Sequence, residues 1–572
     1  THGGNRIAAY TAWINNQFAL DQTRLLDLTQ AADADEWDRR GASPGNFTNN
    51  DEPRHNNRRR SWWALATNAH DALRQRVAFA LSEILVVSDD DTEVRKRHYG
   101  QAGYYDLLAD SANGNYRTLL EAVTKSPIMG KYLSHLQNQK AVVDPGTGQV
   151  LVSPDENYAR EILQLFSIGL VHRHLDGTLK LGSDGLPIQT YTNADISNLA
   201  RVFTGWSFSK KNGTAANGYP VLDNTNFNQG NGPAYFQASW TNPLKNFAAY
   251  HDTGAKTVLG SSIAAGLTGP QDLTAALDII FSHPNVAPFV SRLLIQRLVT
   301  SNPSAGYIYR VAQKFENNGS GVRGDLTAVV KAILLDYEAR SLDVVNNVGF
   351  GKQKEPIVRY VQLIRALAGK SAIPLSGLSA FGYPAGQLNN FPTGATLYRY
   401  ADTDKPLSQT PQSAPTVFNW FLPDHNPGGA IAAAGLVGPE LQISTEVTVV
   451  QAINYHFTLS NNDNGQSTTE LIGSTDPLED NVKLDRAPFI ALYDQEIAAG
   501  KTVTQATTTV LDSLDLLLSA GGFKARYAAA AAPNPRSIVL NSVASLTGVT
   551  SAQRVKELLY GLITSPEYIH HK

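Results

Sequence analysis

Apolar residues recur along this chain mostly at the spacing of a helix face. In SWWALATNAHDALRQRVAFALSEILVVS, residues 61–88, Val77, Leu81, Ile84 and Leu85 share a stripe while Arg76 and Glu83 lie off it, which predicts a long core helix. The same period predicts helices near 103–110, 115–134, 155–170, 193–204, 270–281, 285–300, 304–317, 323–337, 352–368, 437–456, 487–499, 503–519 and 552–563. Start signals accompany several of them: Asn193 before ADISNLARVF, Asn302 before a proline, and Thr550 before SAQRVKELLYGLI. The expected fold class is mainly α, a large multi-helix globular fold.

Strand-like alternation is sparse. It is clearest in HRHLDGTLKLGSDGLPIQTYT, where Asp176-Gly177 and Asp184-Gly185 supply turns, predicting a small β-hairpin excursion near 173–192. Polar Gly- and Asn-rich stretches at 207–248, 369–412 and 457–486 are too long for simple connections, so they are expected to be ordered loops over the surface or around a site. The chain then divides into an N-terminal helical region, 1–368, a loop-rich connection, 369–412, and a C-terminal helical region, 413–572, packed on the first within one unit.

Composition narrows the functional classes. Of 572 residues, 42% are apolar and 17% charged, which is ample for a packed core. The net charge is −3 and no basic stripe alternates with aromatics, so nucleic acid is not an expected partner. Arg58 to Arg60 form the one dense basic cluster, expected as a solvated or phosphate-tolerant surface, the alternative being a functional anion site. Cysteine is absent and Met129 is the single methionine, excluding thiolate catalysis, disulfides and any cysteine-ligated metal. Scarcity of both oxidisable residues suits an extracytoplasmic setting, whether periplasm, cell surface or secretion, and the chain opens on Thr1 as it would after removal of a leader. No apolar run is long enough for a transmembrane segment. There is no GxSxG, HExxH or GxxxxGK[ST] and no glycine fingerprint after a strand, hence no nucleotide motif; the cofactor is otherwise undefined. SNNDNGQSTTE resembles a calcium loop but places Leu471 where the bidentate acid belongs.

Three polar constellations remain. In the 155–170 helix, Tyr158, Ile162, Leu165, Phe166 and Gly169 fall on one face and Asn157, Arg160, Glu161 and Gln164 on the other. That polar face is either a surface stabilised by the Glu156–Arg160 spacing or the lining of a cleft, with Glu161 as acid, base or metal ligand and Asn157 and Arg160 as substrate contacts. In VHRHLDG, His172 and His174 would project to the same side of an extended segment, as two metal ligands or two exposed histidines. In YHDTGAKTVLG, His251 and Asp252 precede Gly254 and a strand-like TVLG, which argues against the helical His-Asp pair of metal phosphohydrolases. A loop histidine oriented by Asp252 and a structural tie closing the 207–248 excursion are the alternatives.

Several blocks, taken in order, resemble one bacterial family, domain of unknown function 1800. They are LRQRVAFALSEILVVS, YYDLLADSANGNYRTLLEAVTKSPIMGKYL, PDENYAREILQLFSIGL, YTNADISNLARVFTGWSF, YHDTGAKTVLG, RLLIQRLVTSNPS and LLYGLITSPEY. The resemblance implies bacterial origin, export, a mostly helical fold and a companion exported family similar to sulfatases, without naming a reaction. It singles out Asn157, Tyr158, Arg160, Glu161, Gly205, Trp206, His251 and Asp252.

The leading functional expectation is a hydrolase or lyase acting on an extracellular or envelope polymer, with Glu161, His251 and Asp252 as acid–base groups and Asn157 and Arg160 as contacts. The competing expectation is a non-catalytic cell-surface or assembly protein that contacts polysaccharide or another surface protein. A third is a metal enzyme built on His172, His174 and a carboxylate of the 155–170 helix.

Overall fold

In the computed structural model Val77, Leu81, Ile84 and Leu85 are all buried, as their stripe requires, yet residues 61–88 are not one helix. One helix spans Glu52–Asn68 and the next Ala72–Ser82. Distant segments take the groups at the break. Asp71 accepts from Thr23 N at 3.1 Å and Thr23 Oγ1 at 2.8 Å, and His70 N–H donates to Asn390 O at 2.7 Å. Short polar side chains such as Asn68 and Asp71 favour such helix ends over helix interiors. Pro127 likewise divides the expected 115–134 helix into Tyr116–Thr124 and Pro127–Tyr132, since proline starts a helix more readily than it continues one.

Periodicity and structure agree within a few residues in Gly269–Ser282, Val286–Leu298, Ala305–Glu316, Val503–Ser519 and Ser551–Ile563, whereas the expected 155–170 helix spans only Asn157–Gln164 and the expected 437–456 helix is a 3-10 turn, Pro439–Ile443, followed by Glu446–Asn461. Thr550 caps its helix with Gln553 completing a capping box. Two starts move: Thr192, with Asp195, caps Asn193–Val202, and Ser304 rather than Asn302 accepts the Tyr307 N–H at 3.0 Å.

The structure describes residues 5–39, 52–212, 221–229, 237–344, 347–371, 373–397, 407–461 and 482–571. The fold is mainly helical, and its named strands form small two-stranded antiparallel pairs. The 173–192 excursion is a ladder of bridges, Val171↔Gln189, Arg173↔Leu179 and Leu181↔Pro187. Asp176 and Asp184 accept the backbone N–H two residues on, at 2.9 and 3.0 Å, which sets its turns. Much of the 457–486 loop, including most of the calcium-like segment, and parts of the other two long loops lie outside the described residues.

The Arg58–Arg60 cluster is not the solvated surface its sequence suggests. Arg58 and Arg59 are buried against Asp89, with Arg58 Nη2 2.5 Å from Oδ2 and Arg59 Nη2 3.0 Å from Oδ1. Arg58 Nη1 also donates to Gln412 Oε1 at 2.6 Å, and Gln412 Nε2 donates to Gln101 O at 3.0 Å. Gln412 has a φ of 57°, an unusual region for a side-chain-bearing residue, and these bonds hold it there. Aromatic packing ties the same helix to Pro356–Ala366: Trp62 meets Trp63 edge-on at 5.2 Å, and Trp63 meets Tyr360 at 5.0 Å.

Candidate functional site

The Asn157–Gln164 helix is anchored through Tyr158, whose hydroxyl lies 2.7 Å from Thr124 Oγ1 and whose ring packs on Phe203 at 4.8 Å and His135 at 4.0 Å. Tyr158, Ile162 and Phe166 are fully buried, as the apolar face predicts. On the other face Asn157 is exposed, and Arg160 is partly exposed with its Nη2 3.7 Å from Glu156 Oε2. Gln164 Oε1 accepts the Tyr191 hydroxyl at 3.2 Å.

Glu161 departs from that polar face: it is 6% exposed, and its Oε2 is enclosed without a hydrogen-bond partner. Burial raises its carboxyl above the usual range, with only the Arg160 charge opposing. Tyr132, from the Pro127–Tyr132 helix, is pushed up to about 12 by burial and then by the charges of Asp91, Asp90 and Glu161. Tyr191 is raised by burial and lies within reach of both Arg160 and Glu161. The Glu161 charge therefore acts on hydroxyls from two other segments, Tyr132 of the 127–132 helix and Tyr191.

His251 and Asp252 belong to a different arrangement. His251 is 1% exposed, its Nδ1 3.0 Å from Thr204 O and its Nε2 3.1 Å from Asp272 Oδ2. Lys256 Nζ reaches the same Asp272 oxygen at 2.5 Å and donates to Asp252 O and Gly254 O at 2.6 and 2.9 Å. Asp252 is clasped by Arg201. Burial by itself would raise its carboxyl, but the Arg201 hydrogen bonds, the Gly254 N–H and the Arg201 and Lys256 charges hold it below the usual range. Gly205 has a φ of 79°, and a Cβ there would stand 2.9 Å from both His251 N and Phe247 O, so glycine permits the close approach of this loop. Trp206 beside it is buried. The Asn193–Val202 helix links the two arrangements along one surface: Ser197 Oγ donates to Glu156 Oε1 at 2.5 Å, and Arg201 lies one turn further on.

His172 and His174 do not share a partner. The His172 ring centroid lies 5.2 Å from that of His283, whereas His174 is exposed near Asp176. His283 is pushed down to about 4 by burial and then by the charges of His172, Lys180 and Arg323, surroundings that disfavour a cation. Among the described residues no group of three or more His, Asp or Glu side chains is placed to hold a metal ion.

The family described as Protein of unknown function (DUF1800) matches residues 5–570. The chain belongs to it. No curated protein and no solved structure matches the chain. In this DUF1800 protein no helix among the described residues is long and apolar enough to cross a membrane.

Sequence reasoning missed several polar groups. Asp272, Lys256 and Arg201 complete the His251–Asp252 network, though Lys256 and Arg201 stand inside the blocks that carry the family resemblance. Glu83 and Glu355 form a buried carboxyl pair near Arg297, whose Nε is 3.4 Å from Glu83 Oε2. Burial and the Glu355 charge push Glu83 well above the usual range. Burial would raise Glu355 too, but the hydrogen bond with Glu83 and the charges of Lys352, Arg76 and Arg297 hold it below. The two buried carboxyls are thus driven in opposite directions, Glu83 up and Glu355 down. The available signal was a glutamate in an otherwise apolar run, ALSEILVV; its partner lies 272 residues away (355 − 83), where no local pattern reaches.

Proposed function

We propose that this protein is an extracytoplasmic hydrolase or lyase acting on an envelope or extracellular polysaccharide. Glu161 is the proton-transferring carboxyl, and Asn157 and Arg160 are substrate contacts. Glycosidic hydrolysis and elimination both leave a sugar oxygen that gains a proton as its bond to carbon breaks, which is the task of Glu161 here. The observation supporting this is the Glu161 carboxyl itself, raised by burial, with an oxygen lacking any partner, beside the outward-facing Arg160 and Asn157. Tyr132 and Tyr191 add hydroxyl-bearing aromatic surface of the kind that packs on sugar rings. His251 and Asp252, engaged as they are, act in this reading by holding the loop behind the Asn193–Val202 helix.

The test is turnover of a panel of acidic and neutral polysaccharides, followed by new reducing ends for hydrolysis and by ultraviolet absorbance of an unsaturated end for elimination. Glu161→Gln is expected to lower kcat by about 10²-fold or more with little change in KM, and Arg160→Gln to raise KM. Full activity in Glu161→Gln would overturn the reading.

A second reading, a non-catalytic surface protein, draws on the internal closure of the His251–Asp252 network and on an apolar hairpin. Val142, Val143, Val150, Leu151 and Val152 are all exposed on it. Polysaccharide binding without turnover would favour this reading, as would a stoichiometric complex with the companion sulfatase-like protein on size-exclusion chromatography.

A further inference from the structure

Away from Glu161, a crevice opens between the Pro356–Ala366 helix, the Glu446–Asn461 helix and the end of the Ser551–Ile563 helix. Its walls are mostly apolar, including Leu407, Ile443, Ile453, Ile563 and Ile569. Its hydroxyls are already engaged: Thr448 Oγ1 donates to Ile443 O at 2.7 Å, Thr564 Oγ1 to Tyr560 O at 2.8 Å, and Ser444 Oγ accepts from Gln353. Arg359 is the exception. It is 6% exposed, its Nε is enclosed without a partner, and among the described residues its guanidinium makes no hydrogen bond or ion pair.

The charges around Arg359 deepen the imbalance. Its charge pushes Lys354 and His570 downward on top of the effect of their burial, as an uncompensated cation does. The acid of the next segment, Glu567, is engaged through Oε1 by Arg526 at 3.2 Å and by the Tyr527 hydroxyl at 3.1 Å, and its charge does not figure among those acting on Arg359. A buried guanidinium without an anion is costly, and its planar fork matches a carboxylate through two parallel hydrogen bonds. The cavity measures about 60 Å³, room for roughly four to six water-sized atoms.

We propose that this crevice binds a small monocarboxylate with a short apolar tail, its carboxylate held by Arg359 and its tail against Ile443, Ile453 and Ile563. Butyrate, with a carboxylate and three further carbons, is the size the cavity admits. The site is independent of Glu161 and of the reaction proposed there.

Calorimetric titration of the full chain with butyrate, 1-butanol and butylamine tests the assignment. Butyrate is expected to bind once per chain and at least about tenfold more tightly than 1-butanol, the margin of a charged hydrogen bond, with butylamine not binding. Arg359→Met, which keeps the bulk and removes the charge, should lose butyrate binding by about tenfold or more. Ala452→Leu narrows the crevice without touching Arg359 and should abolish binding as well; it decides the matter if the first variant does not fold. Binding of 1-butanol as tight as that of butyrate, no butyrate binding, or butyrate binding unchanged in either folded variant would overturn the proposal.

Discussion

Arg201 and Asp252 face each other through two parallel hydrogen bonds, Nε to Oδ2 and Nη2 to Oδ1, both at 2.9 Å. The pair fastens the loop that carries His251 to the Asn193–Val202 helix. Both side chains retain some solvent contact, so the pair is worth less than an enclosed one, about 1 kcal/mol. Arg201→Gln should lower the urea midpoint by that modest amount and leave the Glu161 region unchanged. A drop as large as that of a core truncation would mean the pair does more than fasten the loop.

Asp272 behind it is fully buried and serves both His251 and Lys256. Removing its charge strands an enclosed ammonium. Asp272→Asn is therefore expected to cost about 3–5 kcal/mol in chemical denaturation, several times the cost of Arg201→Gln. Equal costs would contradict the assignment of Asp272 as the centre of this network.

His135 introduces an acid-side pH dependence. Buried against Tyr158, with Nε2 2.8 Å from Thr124 O, it is pushed down to about 4 by its burial. The unfolded chain takes up its proton near the ordinary 6.5, while the folded chain does not do so until about 4. Stability from this group is thus present above 6.5 and lost as pH falls toward 4, by as much as about 3 kcal/mol. His135→Gln should flatten that part of the stability profile, measured by urea unfolding at a series of pH values.

Glu83 works in the opposite direction. The unfolded chain releases this proton in the ordinary carboxylate range, while the folded chain retains it well above. Stability therefore falls as pH rises from the ordinary carboxylate range until Glu83 ionises in the folded state. Arg76, Arg297, Lys352 and Glu355 surround the group and set how steep the fall is. Glu83→Gln imitates the protonated form, so its stability should fall less than that of the wild type as pH rises above the ordinary carboxylate range. Parallel profiles for the two proteins would show that Glu83 does not hold the proton.

Local pattern made the helices legible because the 3.6-residue period is written in neighbouring residues: Tyr158, Ile162 and Phe166 were readable as a buried face and are one. The turns at Asp176 and Asp184 were legible for the same reason, each depending on a side chain reaching its own backbone two residues on. The helix break at Asp71 was not, because Thr23 and Asn390 stabilise it from far along the chain.

The charged residues mark the same divide. Arg58, Glu83, Glu161 and Arg359 all stand where a local reading permits a solvated surface, and all four are buried. Sequence by itself determined the mainly helical class, the positions of most helices and the blocks shared with the family. Tertiary structure decided which charges are enclosed and with what: Arg58 with Asp89 and Gln412, Glu83 with Glu355, His251 with Asp272, and Glu161 and Arg359 without a counter-charge bonded to them. The reason is physical. A charge is desolvated by whatever segments cover it, and those segments come from distant parts of the chain whose approach no local period records.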